Sequence, residues 1–535
     1  MENTDQYRLP TNVKPFHYDL LIKTDLEALT FQGVVKINFD VVRETASITL
    51  NASNLDLDKE EPFLKGVSLY LKKHLFGNSR TTDLWEGVSE ATGLDISGLM
   101  DNWITKTGFP VLTVTEEGGM IVVQQDRFLE SKPADPEENE TIWNVPLFII
   151  SESSEKGGEL GILRERVEAF SVDTSKQFKL NARSVGVYRV LYTPERLAKI
   201  VEEAVKKDSL FGVNDRVGLV HDYMALSKAG LAKLSDTLSI VEKLKHDREF
   251  LVWEGIGQNL TGLVSIWWEH PEVVDKLNAF RRSLFTPIVD RMGYEFNKSD
   301  SRHEKLLRKL AITQAAEANE SKVTDELRSR FAHLVRTGDD SRIPADLMDI
   351  TFATGVKYGG VEEYEAILRA NEKPRTPMQK IAAMTALGNA QDEGLIRRTL
   401  DGIQSTARGQ DIIYYFMGLS ANFKSRRMLT QYFRDNYEEL YKRFGGGLTF
   451  HMFVFSAHNF LSTKEDLEGV ENFFRDKDTA KYDKRLDLCL DTIRTNIAYI
   501  ERSTRDLKEW LKEWLKEWEG RHSSVSWGYG RCSVQ

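Results

Sequence analysis

The side chains best suited to hold a metal ion or move a proton are few and scattered. A helical zinc hydrolase needs two histidines one turn apart and a glutamate beside the first to take a proton from water, the pattern His-Glu-x-x-His. The nearest approach is His303-Glu304-Lys305-Leu306-Leu307, where leucine stands in place of the second ligand, and it reads as the charged start of a helix. His451 and His458 are seven residues apart, two turns or about 10 Å along a helix, too far to share one ion. One packed and one solvated histidine is the expectation for that pair.

Cys489 lies in Leu486-Asp487-Leu488-Cys489-Leu490, an apolar helical context in which cysteine is usually a small, inert core residue. Cys489 and Cys532 are the two cysteines of the chain, too few for a disulfide framework or a thiolate zinc site. The sequence has no Gly-x-x-x-x-Gly-Lys-Ser/Thr, no Gly-x-Ser-x-Gly and no Cys-x-x-Cys. Phosphate-cradling loops, serine nucleophile elbows and dithiol chemistry therefore drop out. Lys424, Arg426-Arg427 and Lys442-Arg443 could form a basic patch. The net charge of -10 favours a solvated helix face over a nucleic-acid site.

The elements that would position these residues change character along the chain. Phe31, Val35, Ile37, Phe39 and Val41 fall on one parity, which predicts a half-buried antiparallel strand. Tyr18 to Lys23 and Ser47 to Leu50 are its expected neighbours. At Leu55 to Gly66 the strand pattern stops, and Phe63, Val67, Tyr70, Leu71 and His74 recur at helical spacing behind Pro62. Further helices are expected near Thr82 and Leu99, up to Gly108-Phe109-Pro110.

Strands return at 111–115, 120–124, 143–150, 168–172 and 186–192, separated by Gly-, Pro- and Glu-rich turns, a spacing that suggests a small β-sandwich. Beyond Pro194 nearly everything reads as helix, as at Arg216 to Ala229, Leu306 to Ala318, Met378 to Leu387 and Leu467 to Arg475. Many short helices in succession predict a curved solenoid. Leu507-Lys508-Glu509-Trp510 is repeated at Leu511 to Trp514 and Leu515 to Trp518. This stripe is expected to dock a terminal helix on the solenoid rather than serve a membrane surface or partner.

At 535 residues, 41% hydrophobic and 29% charged, the chain predicts a multidomain soluble protein. No start-proximal apolar run follows a basic stretch, and no run of about 18 apolar residues occurs. A cytoplasmic chain without a membrane span is expected.

Several blocks resemble the zinc aminopeptidases of the aminopeptidase N and puromycin-sensitive type, most closely their cytosolic fungal branch. Arg8 to Leu20 and Phe31 to Ile37 are similar to the family's N-terminal β domain. Phe63 to His74, Thr82 to Trp85, Met100 to Trp103 and Gly108 to Leu112 resemble the tail of its thermolysin-like domain. Gly186 to Val190 resembles its sandwich-to-helix transition, while Tyr441 to Gly447 and Asn496 to Trp510 resemble its helical C-terminal domain.

The resemblance implies removal of N-terminal residues from peptides with one zinc ion. It also implies a Gly-x-Met-Glu-Asn loop for the free amine and a tyrosine for the oxyanion. Gly118-Gly119-Met120 shares the start of that loop, but Ile121 and Val122 replace its glutamate and asparagine, so a turn between strands is expected. Tyr70 lies beyond the family's catalytic tyrosine and is expected in the core. No catalytic, metal-binding or substrate-binding residue of the family carries over, and no cofactor is expected for this chain.

The expected architecture is multidomain α+β. It comprises an N-terminal β-sheet fragment (1–58), a short helical remnant of a thermolysin-like domain (59–109), a small β-sandwich (110–193), a large C-terminal α-helical solenoid (194–519) and a disordered tail (520–535). The expected function is that of a truncated family member without catalytic activity. The alternatives are a non-enzymatic peptide- or protein-binding solenoid, an incomplete gene model of an active metalloaminopeptidase, and an aminopeptidase that completes its site in trans. A peptide or protein ligand is expected on the concave face of the helical domain, and no nucleic acid. Self-association is expected through the exposed edge of the N-terminal sheet.

Overall fold

A computed structural model describes residues 13–25, 30–43, 62–152, 154–405, 407–445 and 447–523. The chain divides into two units, Met1–Thr107 and Gly108–Gln535.

In the first unit, β1 (Val13–Asp25) and β2 (Thr30–Val41) form an antiparallel hairpin, with Val13 opposite Val41 and one register slip between Pro15 and His17. The alternation seen in the sequence survives, because Ile37 and Phe39 are half-buried while Lys36, Asn38 and Asp40 are exposed. Among the described residues of the hairpin none is buried, and Phe16, Leu21, Ile22, Val34 and Val41 are each more than half exposed. Two strands offer too little surface for a core of their own. The strand expected at Ser47 to Leu50, and the junction from Leu55 to Glu61, lie outside the described residues.

Three helices follow, α1 (Pro62–Lys73), α2 (Thr81–Thr92) and α3 (Ile96–Thr105). Pro62 opens α1, where its missing N–H costs nothing. α1 and α2 approach so closely that a Cβ on Gly66 would stand 2.4 Å from the Val88 Cα. The Asp95 side chain accepts a hydrogen bond from the Gly98 N–H at 2.9 Å and caps α3.

The second unit opens with two sheets. β3 (Pro110–Glu117), β4 (Met120–Arg127), β7 (Val167–Ser171) and β9 (Arg189–Tyr192) form one, in the order β7-β4-β3-β9. The other is β6-β5-β8, from β5 (Val145–Ser151), β6 (Ser154–Leu163) and β8 (Phe178–Leu180). Val111, Leu112, Val114, Ile121 and Val123 of the first and Val145, Leu147 and Leu180 of the second are buried. Gln125 ties the two segments together: its Nε2 donates to the Trp143 and Glu165 carbonyls, and its Oε1 accepts from the Trp143 N–H.

From Pro194 to Ser523 the described residues form seventeen α-helices. Neighbours in sequence pack on one another, and Pro377–Leu387 touches Met348–Tyr358, Val361–Glu372 and Ile412–Ala421. One apolar core cluster spans Phe331 to Ile493, and the earlier helices bury residues of their own such as Leu219, Trp253 and Phe280. The last helix, Asp483–Ser523, departs from this nearest-neighbour pattern, since it packs on Leu448–His458 and also on Leu234–Lys243 and Pro271–Met292 near the start of the array. It continues past Gly520, where the sequence predicts a disordered tail. A single glycine costs a helix only about 1 kcal/mol. The rest of that tail, 524–535, lies outside the described residues. No described helix is long and apolar enough to cross a membrane.

Candidate functional site

Most of the described residues with a possible chemical role are engaged in holding the fold. His303 and Glu304 open the helix Arg302–Glu317, and the Glu304 carboxylate accepts the Ser301 N–H while Ser301 Oγ accepts the Glu304 N–H. That reciprocal cap is a structural use of the glutamate. The His303 ring stacks on Phe250 at 6.3 Å. Gly118 and Gly119 have φ of 57° and 81° and join β3 to β4, the left-handed geometry of a tight hairpin turn. Tyr70 is not in the core. It is half-buried where α1 meets α2, with its hydroxyl 2.6 Å from Ser79 Oγ and its ring 5.6 Å from that of His74. Gly87 lets the two helices meet closely here, since a Cβ there would lie 3.0 Å from the Tyr70 Cβ.

His451 is half-buried, whereas His458 is fully buried between the Phe433 and Phe474 rings at 5.2 and 5.6 Å. The His458 Nδ1 lies 2.8 Å from the Val454 carbonyl, and Nε2 has no hydrogen-bond partner among the described residues. Burial pushes this imidazole down to about 4, aided by the Arg434 charge and opposed by the Val454 bond. A folded-state pKa below the unfolded value means that the unfolded chain binds the extra proton first. Stability is therefore complete above about pH 6.5 and falls as pH drops toward 4. Between pH 7 and 5 this histidine should cost about 2 kcal/mol, read by urea unfolding, and His458→Gln should flatten that part of the profile. An unchanged profile in the variant would show that other groups carry it.

Cys489 is buried, and burial pushes its thiol up to about 12, which suits packing rather than nucleophilic chemistry. Cys532 lies outside the described residues. The expected basic patch is dispersed, and Arg426 corrects the solvated-face reading. Only 4% exposed, its guanidinium sits over Phe423, Phe460 and Trp268 at 4.5, 4.8 and 5.2 Å. It donates to the Ser420 carbonyl and to the Ser265 carbonyl and hydroxyl, and burial pushes it down to about 9. Arg427 pairs with Glu269 at 2.7 Å and Asp466 at 3.0 Å, and Lys424 donates to the Gln391 carbonyl. The aromatic partners come from segments up to 158 residues away, so local charge pattern gave no sign of them.

The zinc ion implied by the resemblance does not fit these residues. Among the described residues, no three His, Cys, Asp or Glu side chains gather to hold a metal ion. Glu304 is spent on a helix cap, and His458 has an aromatic surround rather than carboxylate or histidine neighbours.

What the fold does offer is a groove. The helices Pro377–Leu387 and Ile412–Ala421 touch near their C-terminal ends, where a Cβ on Gly388 would stand 2.4 Å from the Gly418 backbone and one on Gly418 would stand 2.1 Å from the Thr385 carbonyl. Between their N-terminal ends lies a groove of about 510 Å³, lined by Arg375, Lys380, Ile381, Met384, Arg408 and Tyr414 among others. Sequence patterning missed it, because its residues are distant in the chain and no motif links them.

Two family models match the chain. One, described as the Peptidase M1 N-terminal domain, matches residues 14–79, and one described as the ERAP1-like C-terminal domain matches residues 177–495. Aminopeptidase 2, mitochondrial, of Saccharomyces cerevisiae is 32% identical over 457 residues, covering 84% of this chain and 47% of that protein. Aminopeptidase 2 of Candida albicans is 31% identical over 84% of this chain and 49% of its own length. The puromycin-sensitive aminopeptidase of Caenorhabditis elegans is 25% identical over 88% and 51%. The chain spans about half the length of the curated relatives it matches.

Proposed function

Because the chain belongs to the M1 aminopeptidase family yet has, among the described residues, none that fit the family's zinc ion, we propose that it works without hydrolysing peptides, as a helical peptide- or protein-binding member. One observation carries this reading. The sequence has no His-Glu-x-x-His, and no metal-holding group forms among the described residues. In the family's chemistry the metal generates the hydroxide nucleophile at neutral pH, and no described side chain is placed to do so in its stead.

The helical part supports the binding half of the proposal. Its sequential packing, with one apolar core cluster from Phe331 to Ile493, suits a curved array that presents one face to an extended ligand. The N-terminal hairpin, with Phe16, Leu21, Ile22 and Val34 exposed, is a surface through which a second copy could add a strand.

The test is direct. Full-length chain, purified after incubation with zinc, is expected to hold far less than one zinc per chain by mass spectrometry. Aminoacyl reporter substrates should turn over no faster than in buffer. Stoichiometric zinc together with turnover would overturn the proposal in favour of an active aminopeptidase.

A further inference from the structure

We propose that the groove between the N-terminal ends of the helices Pro377–Leu387 and Ile412–Ala421 binds an extended peptide segment that carries acidic side chains beside an apolar anchor. This rests on the reading of the helical part as a peptide-binding module and names the class of peptide and the place.

Size and lining set the first constraint. About 510 Å³ lies within the range of sites that enclose a small ligand or a few side chains, and such sites combine an apolar floor with a few fixed polar groups. Pro377, Ile381 and Tyr414 supply apolar surface here, beside the buried Met384. Met378 and Met417, on the same two helices, are 70% and 49% exposed, and methionine adapts to varied side chains.

Charge sets the second constraint. The lining includes three cations, Arg375, Lys380 and Arg408, and one carboxylate, Asp411, on a chain of net charge -10. Asp411 is spent on Lys380, and its side chain is 10% exposed. Arg375 pairs with Asp340 and also donates to the Gly338 carbonyl at 2.7 Å, and its own side chain remains 58% exposed. Arg408 is exposed, with no carboxylate partner among the described residues. A ligand that brings a carboxylate to Arg408 completes the local charge balance, whereas a basic ligand meets like charge. An extended chain sends successive side chains to opposite sides, so one apolar residue can enter the floor while its acidic neighbours reach the rim. Nucleic acid is disfavoured by the overall acidity of the chain.

The experiment uses the full chain and short fluorescent peptides alternating leucine with glutamate, glutamine or lysine, followed by anisotropy. The glutamate peptide is expected to bind about tenfold more tightly than the glutamine peptide at low salt, with the gap narrowing as salt rises. Arg408→Glu should abolish that preference and favour the lysine peptide, with an unchanged melting temperature because the side chain is exposed. Tyr414→Ala should weaken the glutamate and glutamine peptides alike. Equal binding of these two peptides by the unmodified protein, or a preference untouched by Arg408→Glu, would overturn this inference while leaving the peptide-binding reading intact. If no peptide binds at all, both fall.

Discussion

Replacement of Asp215 by alanine is expected to remove about 3–5 kcal/mol of folding stability, the largest loss foreseen for a single charged residue here. Lys179 and Asp215 side chains are 6% and 1% exposed and lie 3.1 Å apart. The Lys179 ammonium also donates to the Leu180 and Asn181 carbonyls, and Asp215 accepts the Arg183 and Gly212 N–H groups. Alanine would leave a buried ammonium without its counter-charge. It would also release a connection in which Asn181, Arg183 and Ser184 all have φ between 54° and 58°, a strained run for side-chain-bearing residues. Urea unfolding reads the loss. The double variant Lys179→Met with Asp215→Leu should recover a large part of it, because removing both charges removes the desolvation penalty as well. A single-variant cost below about 1 kcal/mol would mean that water reaches the pair.

This clamp also shows what the sequence could and could not disclose. Hydrophobic parity marked β2, and helical spacing marked Arg216 to Ala229 and Met378 to Leu387, because those signals are local and repeat every two or 3.6 residues. The strands β6 and β8 escaped notice: β6 (Ser154–Leu163) is interrupted by polar residues and glycines, and three residues at Phe178–Leu180 give no period to count. Lys179 and Asp215 are 36 residues apart, and nothing in either neighbourhood announces a partner. Arg426 misled for the same reason: in sequence it is half of a basic dipeptide, in space the centre of an aromatic box. The absence of His-Glu-x-x-His was legible because the pattern is contiguous. The groove at Arg375, Lys380 and Arg408 was not, because its shape depends on how closely Gly388 and Gly418 let two helices cross.

The terminal helix carries the other large effect. A solenoid in which each helix touches only its neighbours stores stability locally, so damage at one end stays there. Asp483–Ser523 breaks that rule by running from the last helices back to the first. Leu507 and Leu511 are fully buried, and Phe280 meets Trp510 and Trp514 edge-on at 5.2 and 5.0 Å. Tyr499 lies 2.9 Å from Ser227, Thr504 accepts from Trp267 and Asp506 from Ser235. The Leu-Lys-Glu-Trp repeat is therefore a docking stripe inside the fold. Leu511→Ala should cost about 3 kcal/mol, and Leu511→Ala with Trp514→Ala about 5, less than the sum of two such truncations because the residues are neighbours. The distribution of that loss is the sharper measurement. Amide exchange in Val213–Ala229, Leu234–Lys243 and Pro271–Met292 should quicken by about a hundredfold, the equivalent of nearly 3 kcal/mol, while Met348–Tyr358 and Pro377–Leu387 change little. Uniform acceleration across all helices would instead make the array one cooperative block. No acceleration near Phe280 would deny the helix its part in closing the array.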